Sequence, residues 1–166
     1  MTHAANNIEI TNNGDIYSLK TEQWMPVSIG TAWDFFSSPK NLSSITPPEL
    51  DFKILTDWGD REVFDGMKID YSVKPLFGIA FHWQTEICQV VKEKIFSDRQ
   101  LKGPYKIWQH EHLFVEQGGG VLMTDKVDYE LPFGIFGRIM HQVLVKQKLE
   151  NIFGFRKDSI DKIFRQ

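Results

Sequence analysis

The apolar residues of this chain change period for good at Pro132, and that change settles most of what the chain can fold into. Upstream, apolar and polar side chains alternate over stretch after stretch, which lines one face of a β-strand. Downstream, Ile135, Ile139, Val143, Ile152, Ile160 and Ile163 recur at helical spacing to about Phe164. About thirty residues of α-helix span about 45 Å, enough to cross a whole sheet. A break near Gly154 fits the pattern.

The alternating part resolves into seven strands. The first runs over Ile16–Met25 and stops at Pro26. Ser28 then caps a short helix in which Ile29, Ala32, Trp33 and Phe36 share a side, and Pro39 opens a second short helical turn that Pro47 and Pro48 end. Leu50, Phe52 and Ile54 alternate with charged neighbours, as do Met67, Ile69, Tyr71 and Val73. Further strands are expected at 79–91, 94–101, 105–116 and 121–131, the last two joined by a turn at Gly118, Gly119 and Gly120. Consecutive strands with short links make an antiparallel meander, and one long helix must cover one of its faces. The expected class is α+β, a curved seven-stranded antiparallel sheet wrapped round a long C-terminal helix. Residues 1–15 read as a loose polar tail, and 16–166 as a single domain without repeat or linker.

Composition excludes several functions. Net charge is −3, with 19 basic against 22 acidic residues, which does not suit a dedicated nucleic-acid binder. The basic residues near the C-terminus, among them Lys148 and Arg156, are interrupted by acidic ones and read as a solvated helix face. One cysteine, Cys88, permits no internal disulfide and no cysteine-rich metal site. The first fifteen residues lack the apolar core of a signal peptide, and no apolar run is long enough for a membrane span, so a cytoplasmic protein without membrane insertion is expected. Thirteen Phe, five Trp and four Tyr supply both core and potential pocket walls.

Several local stretches add a resemblance. Pro39-Lys40-Asn41-Leu42 with Ile45-Thr46-Pro47-Pro48, Phe96-Ser97-Asp98-Arg99-Gln100, Gly103-Pro104-Tyr105 leading into Trp108-Gln109-His110-Glu111-His112, and Glu130-Leu131-Pro132-Phe133-Gly134 follow one another in order. Together with the element order they resemble the START-like, birch-pollen-allergen and polyketide-cyclase superfamily (SRPBCC), in its bacterial ligand-binding, cyclase/dehydratase-like branch. The resemblance covers roughly residues 16–164. It implies the helix-grip fold, with a cavity between the sheet and the long helix. Some members of that branch carry a cell-division-inhibitor label, which no residue here independently supports.

Strand parity selects the residues that could face such a cavity. Trp108, His110, His112 and Phe114 share one face of their strand, and Met123, Asp125, Val127 and Tyr129 share one face of the next. By the same rule Phe96, Asp98 and Gln100 join them, with Phe81, Trp83 and Thr85. The helix is expected to contribute Ile139, Met140 and Val143. His110 and His112, two apart on one strand, admit three readings: a buried hydrogen-bonded network with Asp98, Asp125 or Tyr129, a general acid or base oriented by Asp125, or a metal site. No third ligand stands at diagnostic spacing, so neither metal nor cofactor is expected. Cys88 reads as an inert surface thiol.

The function expected first is binding of a small hydrophobic or amphipathic molecule, such as a lipid, polyketide or aromatic metabolite. The alternatives are a cyclase/dehydratase-like enzyme using His110 or His112, and a protein-partner module with a filled interior.

Overall fold

The computed structural model describes residues 8–76 and 78–165. Eight strands are present: β1 (Ile8–Asn13), β2 (Ile16–Met25), β3 (Lys53–Ile54), β4 (Lys68–Leu76), β5 (Ile79–Val91), β6 (Ile95–Lys102), β7 (Ile107–Gln117) and β8 (Gly120–Glu130). They form one antiparallel sheet in the order β1-β2-β8-β7-β6-β5-β4-β3. Helix α1 (Ile29–Phe36) and two short 3₁₀ turns (Pro39–Ile45 and Pro48–Leu50) fill the connection from β2 to β3. Ser28 caps α1, its hydroxyl accepting from the Thr31 amide at 3.1 Å.

The eighth strand corrects the sequence expectation of seven. Residues 8–13, read as part of a loose tail, pair with β2 along their whole length, while residues 1–7 lie outside the described residues. A two-residue turn, Gly14-Asp15, reverses the chain, with Gly14 at φ +66°, where glycine carries no steric penalty. Ile8 and Ile10 then pack against the core behind β2.

The C-terminal helix also departs from expectation. It is interrupted not at Gly154 but earlier: α2 (Ile135–Met140) passes through a π-helical turn (His141–Val145) into α3 (Lys146–Phe164). A π turn inserts extra rotation and re-aims everything that follows. The buried row is Gly137, His141, Val145, Leu149 and Phe153, each four residues on, continued by Ile160. Gly137 is needed in that row because a Cβ there would stand 2.4 Å from the Pro132 carbonyl oxygen. Among the described residues no helix is long and apolar enough to cross a membrane.

Two apolar clusters divide the interior. Trp33, fully buried, meets Phe96 and Phe114 edge-on and anchors the first beneath α1. The second joins Tyr17, Leu19, Val127 and Tyr129 to Val145, Leu149 and Phe153. His141 sits in the second, stacked on Tyr17 with centroids 3.6 Å apart and bonded through Nε2 to the Tyr129 hydroxyl at 2.7 Å. Burial, helped by the nearby charge of Lys146, holds its pKa below the ordinary 6.5. The neutral ring then accepts the tyrosine proton. Its unfolded counterpart takes up a proton near 6.5 while the folded ring does not, so this group subtracts stability as pH falls below that value and none above it. Urea midpoints measured for wild type and His141→Gln should therefore converge as pH is lowered from neutrality; a constant difference would contradict this.

Candidate functional site

Between the helix and the inner face of the sheet lies a cavity of about 550 Å³. Its walls come from almost every element. The strands give Ile69, Tyr71, Val73, Phe81, Trp83, Thr85, Ile87 and Trp108; α1 gives Phe35 and Phe36; the helix gives Met140, Val145, Leu149, Ile152 and Phe153. Trp83 and Trp108 meet edge-on with centroids 5.2 Å apart, and Tyr105 packs against both. The lining extends to Phe133 and Phe136, which are 83% and 71% exposed, so the cavity reaches the surface beside α2.

The polar part is compact and sits between the two apolar clusters. Asp98 on β6 stands opposite His110 on β7, and His112 stands opposite Asp125 on β8, so three neighbouring strands bring all four to one face. His110 Nε2 and Asp125 Oδ1 are hydrogen-bonded at 2.9 Å. His112 Nδ1 lies 2.8 Å from the same oxygen but out of line for a full hydrogen bond. The opposite nitrogens turn toward Asp98, whose Oδ2 is 3.6 Å from His110 Nδ1 and 3.5 Å from His112 Nε2. Phe96 stacks on His112, and Phe153 meets His110 edge-on.

Burial and neighbours push the two histidines apart. Burial, reinforced by His112, holds the His110 pKa below its ordinary value. Burial also opposes the charge on His112, but the Asp125 and Asp98 carboxyls outweigh it and raise that pKa. For Asp125 burial works against ionisation, and the two imidazoles overcome it, leaving its carboxyl well below the usual range.

Of the residues expected at the site, Phe81, Trp83, Trp108, His110, His112 and Met140 line the cavity, with Asp98. Asp125 lies immediately behind the histidines and does not line it. The others are elsewhere. Gln100 turns back to its own strand end, its amide donating to the Tyr105 carbonyl at 2.7 Å. Phe114 and Met123 are consumed by the core under α1, and Tyr129 by its contacts with His141 and Tyr17. Ile139 and Val143 are 54% and 74% exposed, because the π turn directs the Gly137–His141–Val145 row inward instead.

Most of the apolar wall and, among the charged lining residues, Lys148 and Arg156 escaped sequence reasoning. Arg156, read as part of a solvated face, lies with its guanidinium 4.9 Å from the Phe153 ring and lines the cavity, as does Lys148. Its Nε is buried without a hydrogen-bond partner, as is Trp83 Nε1. Neither is visible from spacing, since both depend on what the helix face lies against. Cys88 is half-buried and its thiol pKa is raised, first by burial, in keeping with an inert side chain.

No protein-family model matches the chain, and no curated protein does. Solved structures do. Protein Ms6760 from Mycobacterium smegmatis superposes with a TM-score of 0.64 at 14% identity, over 94% of this chain and 99% of that one. Ara h 8.0201 gives 0.55 at 14% identity, over 87% and 97%. The nucleoside-diphosphate sugar epimerase from Corynebacterium glutamicum gives 0.62 at 23% identity, over 87% of this chain but only 28% of that enzyme. At these identities the likeness concerns the fold. The chain is an α+β protein of the helix-grip type, with an open eight-stranded antiparallel sheet and a long C-terminal helix.

Proposed function

We propose that this chain binds a small amphipathic molecule, an apolar body carrying an anionic or hydrogen-bond-accepting group, in the cavity between sheet and helix. One observation carries the reading: a cavity of ligand size, about 550 Å³, is walled by aromatic and aliphatic side chains, and two of its lining residues, Trp83 and Arg156, have a buried donor (Nε1 and Nε) without a partner. A buried donor left unpaired costs about 1–3 kcal/mol, which an oxygen on the occupant would recover once a small rotation of the side chain turns the donor to the cavity. Lys148 and Arg156 add two positively charged side chains to the lining. Lipids, polyketides and aromatic acids all have this chemistry.

The imidazoles at the cavity wall also support an acid–base reading, because Asp125 holds His110 from behind as an orienting carboxylate does. One comparison separates the two. Anilinonaphthalene sulfonate, an apolar body with one anionic group, is titrated by fluorescence into chelator-treated wild type, His110→Gln, His112→Gln and Trp108→Leu. Glutamine keeps hydrogen bonding but cannot exchange protons near neutrality. Both glutamine variants should bind within about twofold of wild type, whereas Trp108→Leu should lose about tenfold through its lost aromatic contacts. Equal affinity in all four would place the binding surface elsewhere. Turnover of any cavity ligand that either glutamine variant abolishes at unchanged affinity would favour the enzyme.

A further inference from the structure

The arrangement of Asp98, His110 and His112 has a geometry that binding an apolar molecule does not require. One donor atom from each lies within 4.8 Å of the other two. The separations from Asp98 Oδ2 to the ring nitrogens, 3.5 and 3.6 Å, are too long for hydrogen bonds. They are close to what donors at about 2.0–2.2 Å from a shared ion require of one another in a four-coordinate site. The three side chains are hardly exposed.

The rings are also turned as metal-ligating histidines are. Each presents one nitrogen toward Asp98 and the other to Asp125, at 2.9 and 2.8 Å. A carboxylate behind a ligating imidazole fixes its tautomer and orientation. All four residues are held by paired strands, with Asp98 opposite His110 and Asp125 opposite His112, rather than by a loop. Asp98, His110 and His112 line the cavity while Asp125 does not, so the remaining coordination positions face the cavity.

We propose that Asp98, His110 and His112 bind one divalent first-row transition-metal ion of the zinc or iron(II) class, with Asp125 as the positioning residue behind both imidazoles. Two histidines and one carboxylate with open positions suit these ions, and a divalent ion would offset two carboxyl groups gathered in a buried place. This site stands on its own residues, independently of what fills the cavity.

The test uses the full chain, stripped with chelator and titrated with Zn(II) by calorimetry and with Co(II) by visible absorption. Wild type should take up one equivalent and give a Co(II) spectrum of low coordination number. Asp98→Asn should bind at least a hundredfold more weakly, and His110→Gln likewise. Asp125→Asn should keep the stoichiometry but lose about 10–100-fold. His82→Gln, which removes an exposed histidine paired with Asp70, should change nothing. Circular dichroism verifies folding. Should a histidine variant not fold, X-ray absorption of the zinc-loaded wild type decides, and must show two imidazoles among the ligands. Wild-type binding no tighter than that of Asp98→Asn, or a zinc environment with fewer than two imidazoles, overturns the proposal. The dye titration in chelator, which involves no metal, fails or succeeds separately.

Discussion

Replacing Asp125 with alanine is expected to destabilise the metal-free chain by about 3–5 kcal/mol, the usual cost of removing one partner from a buried ionic contact. Asp125 is the shared neighbour of both buried imidazoles, hydrogen-bonded to His110 and 2.8 Å from His112 Nδ1. Among the described residues no second carboxyl stands behind the rings, since Asp98 is on their other side at 3.5 and 3.6 Å. The truncation thus strands two polar rings between Phe96 and Phe153. Asp125→Asn should cost less, because its amide oxygen still accepts a hydrogen bond. Urea unfolding in the presence of chelator measures both. A loss below about 1 kcal/mol for the alanine variant would mean that the rings find other acceptors, and that the four residues are not an integrated network.

A second large effect is expected at Ile152, on the face of α3 that lines the cavity. Ile152→Trp places an indole where an occupant's apolar body would lie. Displacing or crowding that body should cost about 1–3 kcal/mol of binding, or about 10–100-fold in dye affinity. Stability should hold or rise, because an under-filled space gains contacts. Val143→Trp, at a position 74% exposed on the same helical run, serves as the control and should bind normally. If Ile152→Trp binds as wild type does, the dye is not in the cavity.

Much of the sheet could be read from alternation alone. In β7 and β8 the residues sorted to one face by parity, His110, His112 and Phe114 with Met123, Asp125, Val127 and Tyr129, are the buried ones. Parity, however, says only which face a side chain takes. Whether it meets a cavity or a packed core depends on what covers that face. Phe114 and Met123 lie under α1, Tyr129 under the π turn, and Trp108 under neither.

Other features had signals that alternation does not carry. Parity put Asp98 on the face of the histidines, but its place opposite His110 is a register between strands, which no spacing along the chain reveals; hence its role as third donor of the cluster was not legible. Strand β1 is short and mostly exposed, and its sign was the Asn13-Gly14 dipeptide at a tight turn. The inward row of the C-terminal helix was misread because a π turn, with no proline or glycine within it, shifts the phase between Ile139 and Leu149. Arg156 escaped because its long stem lies along an aromatic ring while its charge suggests a solvated surface.

The central claim, that a ligand enters this cavity and meets its unpartnered donors, can be watched directly at the tryptophan indoles. Trp24, Trp33 and Trp58 donate their N–H groups to the Gln117 carbonyl, the Glu62 carboxylate and the Lys68 carbonyl, whereas Trp83 Nε1 is buried without a partner. Titrating anilinonaphthalene sulfonate into the labelled chain and following the indole N–H resonances by NMR should move Trp83 and Trp108 along one saturable curve. Trp83 should shift downfield as its proton gains an acceptor, with Trp24 and Trp58 stationary. Saturable binding that leaves Trp83 and Trp108 unmoved, or no saturable binding at all, would contradict the account.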